Sequence, residues 1–194
     1  MLFRSTFTND ECQFKYRDSL FKSNPGQFVI LEVQFNLRRG EMTTPIQYEE
    51  LARELGISVG EKADVIKTRE AVLKIRARKG MLLNDNDPDT FSAGSFFTNP
   101  IVAESQIPIG APKYPQGDGT FKTSAAWLIE NSGINKGQRL NGAGISNKHV
   151  LAITNADKAK AADIAALAMQ VRDTVRLQFG IELKPEVILV GLSL

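Results

Sequence analysis

Over residues 28–37 the chain alternates: Val33, Phe35 and Leu37 interleave with Gln34 and Asn36, behind a more uniformly apolar run at 28–31. A period of two at this length predicts a long strand. Residues 46–55 predict a short helix with Leu51 and Leu55 on one face, stopped by Gly56. A loop follows over 56–67. Thr68 then reads as the cap of a second helix, with Glu70 in its first turn, Val72 and Ile75 facing inward, and Gly80 ending it. The strongest break is NDNDPD at 84–89, whose Asn, Asp and Pro residues favour turns, and it is read as a domain boundary.

Beyond that break the pattern changes. Residues 91–103 are apolar and aromatic with embedded Gly and Ser, which suits a buried loop and strand. Residues 108–120 carry three Pro and three Gly and predict a loop. A helix is expected over 122–132 around Trp127 and Leu128, and a strand over 150–154. Asn155 is expected to cap the longest helix, which runs to Phe179 with Ile164, Leu167, Ala168, Val171 and Val175 as its inward stripe. Gly180 ends it, and short extended segments flank Pro185. The sum predicts an α+β second half.

Composition narrows the classes without naming one. With 194 residues, 42% of them hydrophobic and 24% charged, the chain can bury a sizeable core and needs no staples. A net charge of +2, dispersed along the chain, gives no reason to expect nucleic acid or a membrane surface as partner. The single cysteine, Cys12, excludes an internal disulfide framework. No apolar run approaches the ~20 residues of a membrane span, and the first five residues lack the features of a signal peptide. The expectation is a soluble, cytoplasmic monomer.

Four segments could carry chemistry. Tyr16-Arg17-Asp18-Ser19 offers a planar guanidinium suited to an anionic or enolate oxygen, although Arg17 alone reads as a surface residue paired with Asp18. Ala93-Gly94-Ser95-Phe96-Phe97-Thr98-Asn99-Pro100 combines small residues around a serine with a dry aromatic wall, or is simply a tight turn with core aromatics. Lys184-Pro185-Glu186-Val187 puts a carboxylate at the head of an apolar run, as either a strand start or a functional acid. Tyr114 to Lys122 and Ser146-Asn147-Lys148-His149 supply phenol, ammonium and imidazole donors of the kind a pyrophosphate or sugar site uses. No P-loop, zinc spacing, dinucleotide GxGxxG or serine-hydrolase elbow is present.

Taken together, these segments resemble the UDP-N-acetylenolpyruvoylglucosamine reductase family. The resemblance is carried by YRDSLFK at 16–22, Arg76 to Lys79, AGSFFTNP at 93–100 and YPQGDGTFKTSAAWLIE at 114–130. GAGISNKHVLAITN at 142–155 and LKPEVILVG at 183–191 complete the set, all in family order. It implies an α+β fold: the remainder of a vanillyl-alcohol-oxidase-type FAD-binding domain over 1–83, an α+β substrate-binding domain over 84–180, and a terminal segment 181–194 returning to the flavin domain. It implies the NADPH- and FAD-dependent reduction of UDP-N-acetylglucosamine enolpyruvate to UDP-N-acetylmuramate, an oxidoreductase step in making peptidoglycan for the cell wall. Ser95 matches the proton donor, and Arg17 and Glu186 match the pair that polarises the substrate carboxyl. Tyr48, Lys79, Asn99, Tyr114 and His149 match positions that contact the nucleotide sugar or its pyrophosphate. Nothing upstream of Tyr16 resembles the family's glycine-rich grip on FAD, so this chain is expected to be an incomplete, inactive part of that enzyme. The alternative is a non-catalytic nucleotide-sugar-binding module.

Overall fold

The computed structural model describes residues 3–194 and divides into two compact units, 1–40 and 41–194. In the first, Phe7, Phe21 and Phe28 meet edge to face with ring centroids 5.3 to 5.6 Å apart. Ser19 caps the four-residue helix α1 (Leu20–Ser23), its hydroxyl accepting from the Lys22 amide. The strand expected over 28–37 is not formed. Among the described residues no neighbouring backbone bonds to residues 28–39, so the alternating side chains lack there the partner that would turn an extended segment into a ladder. Val29, Leu31, Val33, Phe35 and Leu37 are all exposed.

The second unit begins with a helix pair. Helix α2 (Glu49–Leu55) starts three residues later than expected, because Ile46 is committed instead to a backbone bond with Glu61. Its end is as expected: Gly56 adopts the left-handed conformation that closes a helix at little cost. Helix α3 (Val65–Arg78) begins before Thr68, because Asp64 is the better cap. The Asp64 carboxylate accepts from the amides of Ile66 and Lys67 at 2.9 Å, and the Thr68 hydroxyl turns back to the Asp64 carbonyl. Glu54 holds the two helices together, reaching Lys74 at 2.7 Å and Arg78 at 2.5 Å.

After a single 3-10 turn at Pro88–Thr90 the chain builds two antiparallel sheets. One runs β1 (Ser92–Ser95), β7 (Ala152–Asn155), β6 (Ala143–Ile145), β5 (Arg139–Leu140) in spatial order. The other places β4 (Thr120–Thr123) between β2 (Ile101–Ala103) and β3 (Lys113–Pro115). Helix α4 (Ala125–Asn131) is shorter than the expected 122–132, since residues 120–123 pair as a strand and the Ser124 hydroxyl caps the helix behind them. The 108–120 loop likewise contains β3.

Helix α5 (Ala161–Phe179) carries the expected stripe: Leu167, Ala168, Val171 and Val175 are essentially solvent-free, and Ile164 packs at the margin. Its cap is not Asn155, which ends β7 and spends its side-chain oxygen on the Ala159 amide at 2.7 Å. Asp163 does the capping, accepting from the Lys160 amide at 2.8 Å. Leu128 and Ile129 of α4, Ile145 and Ile153 of the sheet, and Ile181 and Leu183 beyond α5 complete one core. Among the described residues no helix is long and apolar enough to cross a membrane.

Two glycines sharpen how tightly this core is drawn. A Cβ on Gly180, at φ +68°, would meet nothing within 4 Å, so its substitution costs only the left-handed backbone, about 1 to 2 kcal/mol. A Cβ on Gly142 would lie 2.4 Å from the Asp157 carbonyl and 2.8 Å from Ala159, both backbone and unable to rotate away. Urea unfolding should therefore find Gly142→Ala the more destabilising of the two, with Gly180→Ala losing about 1 kcal/mol.

Candidate active site

Ser95 is the last residue of β1, in register with Ala152 of β7. The chain beyond it stays extended and is held on both sides. Phe96 donates its amide to the Leu151 carbonyl at 2.8 Å and accepts from the Glu186 amide, also at 2.8 Å. Two residues on, the Thr98 amide reaches the Lys184 carbonyl at 3.0 Å, around an antiparallel bridge between Phe97 and Pro185. Phe96 and Phe97 are buried and touch edge-on at 5.1 Å, which anchors the segment. The hydroxyl-bearing and carboxylate-bearing residues, far apart in sequence, thus sit on adjacent antiparallel segments. Glu186 is half-buried at the rim, with Val187 and Leu189 packed on the core just behind it. Ahead of Ser95, Gly94 turns at φ +81° with open space where a Cβ would be, leaving the backbone approachable.

Arg17 belongs to the first unit. It lies at φ +54° in a turn closed by the pairing of Lys15 with Asp18. The Asp18 carboxylate accepts from the Ser19 amide at 2.8 Å and from the Ser23 hydroxyl. These bonds hold its pKa below the ordinary value, with Lys15 and Lys22 adding a smaller effect.

A second grouping forms where α3 ends. Tyr48, exposed, precedes α2, and Lys79, the residue after α3, places its ammonium 2.5 Å from Glu50. Gly80 then runs close against Asp89, where a Cβ would stand 3.0 Å from the carbonyl oxygen. The Asp89 carboxylate, largely buried, takes the backbone amide of Asn147 at 3.0 Å and its side-chain amide as well. Lys148 pairs with Asp87. The buried Ser146 hydroxyl accepts from the amides of Lys148 and His149 at 3.0 and 3.4 Å, folding residues 146–149 into a tight turn. His149 is half-buried there, and its pKa is pushed below 6.5 by burial first, then by the positive charges of Lys79 and Lys136; Glu130 and Glu50 oppose them. Lys79 and His149 thereby share one electrostatic neighbourhood, with the imidazole neutral near pH 7.

Asn99 is already partly employed. Its side-chain oxygen accepts from the Ala125 amide at 3.0 Å, at the start of α4. Tyr114 stands on β3, opposite Lys122 of β4, whose ammonium lies 5.9 Å from the phenol ring centre. The base of that hairpin is fixed by Thr123, fully buried, which donates its hydroxyl to the Pro112 carbonyl at 2.7 Å. Sequence reasoning singled out neither Asp89 nor Thr123 as organising residues. Thr123 stands between Lys122 and Ser124 with nothing to set it apart, and Asp89 is hidden in an acidic turn.

With this geometry in view, comparison with known proteins is decisive: the family described as UDP-N-acetylenolpyruvoylglucosamine reductase, C-terminal domain, matches residues 87–190. The chain belongs to that family. Relatives named UDP-N-acetylenolpyruvoylglucosamine reductase include one from Cutibacterium acnes, 50% identical over 97% of this chain and 51% of its own length. Those of Thermobifida fusca and Streptomyces avermitilis are 46% and 45% identical, over 95% and 97% of this chain and 55% and 56% of their own. The chain therefore spans about half the length of the curated relatives it matches. The reductase C-terminal domain match contains Ser95, Asn99, Tyr114, His149 and Glu186 and leaves Arg17, Tyr48 and Lys79 outside it.

His149 is the only histidine, so its ring protons titrate without overlap in a proton NMR spectrum. Its midpoint is expected below 6.5, and Lys79→Met should move it upward by removing a nearby positive charge. Because the unfolded chain takes up this proton first, His149 costs no stability above about pH 6.5 and progressively destabilises the fold as pH drops toward its native midpoint. A midpoint at or above 6.5 contradicts the assignment.

Proposed function

We propose that this chain forms the substrate-handling part of a UDP-N-acetylenolpyruvoylglucosamine reductase, which reduces UDP-N-acetylglucosamine enolpyruvate to UDP-N-acetylmuramate for peptidoglycan synthesis. The observation that carries it is the pairing of the Ser95 strand with Glu186 through the 2.8 Å bond to Phe96, inside a span that matches the reductase family. Reduction of the enolpyruvyl double bond adds a hydride to one carbon and leaves negative charge spread over the neighbouring carbon and its carboxylate. That charge calls for fixed donors, and the carbon for one proton. In this reading Ser95 gives the proton, Glu186 and Arg17 hold the carboxyl group, and Asn99 and Tyr114 engage the nucleotide sugar. Tyr48, Lys79 and His149 take its pyrophosphate end. NADPH would be the source of reducing equivalents and FAD their carrier.

The first unit does not fit the FAD pyrophosphate. A dinucleotide needs backbone amides presented by a glycine-rich turn or a full helix N-terminus. The first unit has Gly26, in open space, Gly40, and one helix of only four residues. We therefore assign the flavin seat to residues of the kind that the relatives carry outside the matched half, and read residues 1–83 as a partial flavin domain ahead of a substrate domain at 84–180. The start of the family match at residue 87 supports that boundary. By itself, the chain is expected to lack reductase activity.

Two experiments test this. Calorimetry of the chain with UDP-N-acetylmuramate should show binding without added FAD; binding accompanied by no loss of affinity in Ser95, Glu186 or His149 variants would favour a plain nucleotide-sugar module. In a chimera joining the first half of the Cutibacterium acnes reductase to this chain, Ser95→Ala should leave NADPH bleaching of the flavin unchanged. Turnover of the enolpyruvyl substrate should fall by about two to four powers of ten. Equal slowing of both processes would remove Ser95 from the proton-donor role.

A further inference from the structure

The turn that carries His149 is tied down on two sides, and the two ties are unlike. On one side it belongs to the sheet. The Ser146 amide donates to the Ala152 carbonyl at 2.9 Å, the Ala152 amide donates to the His149 carbonyl at 3.0 Å, and Ala152 stands in register with Ser95. On the other side it is gripped by an acidic turn. Asp87 caps the 3-10 turn Pro88–Thr90 by accepting from the Asp89 amide at 3.1 Å, and the buried Thr90 hydroxyl locks that turn onto the carbonyls of Asn84 and Asp87. The two carboxylates reach consecutive residues: Asp89 takes the backbone and side-chain amides of Asn147 at 3.0 to 3.3 Å, and Asp87 pairs with Lys148. The next residue is His149. Asp89 also meets the chain directly after Lys79, where a Cβ on Gly80 would stand 3.0 Å from the Asp89 carbonyl oxygen.

On the reading that Lys79 and His149 take the pyrophosphate, we propose that Asp89 is a positioning residue for that end of the site, holding the 146–149 turn so that the imidazole stays half-buried in the neighbourhood of Lys79. Both partners of the Asp89 carboxylate are N–H donors, so an acceptor-only group satisfies them together. An amide in its place would set one NH2 group against another. With Asp89 only 8% exposed, water competes poorly for these bonds. A turn fixed in this way restricts how far the imidazole can swing out, and a donor held in place before its ligand arrives loses less entropy on binding. The same placement keeps the ring neutral near pH 7: burial, Lys79 and Lys136 outweigh Glu130 and Glu50.

The sign of one titration separates positioning from charge. Asp89→Asn removes a negative charge from the neighbouring turn, a change that by itself can only lower the imidazole midpoint. Release of the turn does the reverse, since the ring gains water and moves away from Lys79 and Lys136. In proton NMR of the full 194-residue chain, the His149 midpoint of Asp89→Asn should therefore rise toward 6.5. Asn147→Ala, at an exposed position and with the Asp89 charge kept, should raise it as well, and decides alone should Asp89→Asn not fold. In calorimetry, Asp89→Asn should weaken UDP-N-acetylmuramate about tenfold, and should cost nothing further in a chain already carrying His149→Ala. A midpoint that falls or stays put in either variant overturns the proposal, even where urea unfolding shows lost stability, because a purely structural Asp89 would move stability alone. An affinity loss that persists undiminished in the His149→Ala background overturns it too. If the unsubstituted chain binds no UDP-N-acetylmuramate, the pyrophosphate reading is what fails, and the titration still decides whether Asp89 positions the turn.

Discussion

The pairing of the 92–98 and 184–187 segments depends on how the backbone of Phe96 is used. Its amide is spent on Leu151 and its carbonyl on Glu186, so a single residue closes β1 against β7 on one side and captures the 184–186 segment on the other. Buried backbone groups must find partners, and here the need is met twice by segments from distant parts of the chain. The two phenylalanine side chains keep water from competing for those bonds. Ser95 and Glu186 are thereby carried on adjacent backbone segments.

A second constraint is the set of buried polar residues, each used up by the backbone it organises. Thr123 fixes the base of the Tyr114 hairpin, Ser146 folds the turn that carries His149, and Thr154 donates across the sheet to the Gly144 carbonyl. Asp89 ties the start of the sheet region to that same turn. Among the described residues no buried side-chain nitrogen or oxygen lacks a partner. Such fully satisfied networks define one arrangement of loops rather than several.

Much of this was legible in the chain. The stripe of α5 and its end at Gly180 followed from helical spacing and from the one residue that tolerates a left-handed turn. Residues 93–100 and 184–187 stood out only through the family resemblance; by itself, each read as a turn with core aromatics or a strand start, and the structure pairs the two segments. Boundaries were less legible, because competing caps decide them: Asp64 outbids Thr68, and Asp163 does what Asn155 was expected to do. The tract at 28–37 shows the other limit. Alternation reports that a face wants covering, but a ladder also needs a neighbour, and single-strand periodicity is silent about neighbours. Nor could spacing reveal that Lys79 would depress His149, since that influence acts through space between a helix end and a remote turn.

The bond from Glu186 to Phe96 joins residues far apart in the chain, and that separation has a consequence for the order in which contacts can form. The sheet and α5 lie within residues 92–179, between the two partners or beside the first, so they can pack before the 184–186 segment docks. The entropy of closing that long loop is then met by the core already formed beneath it.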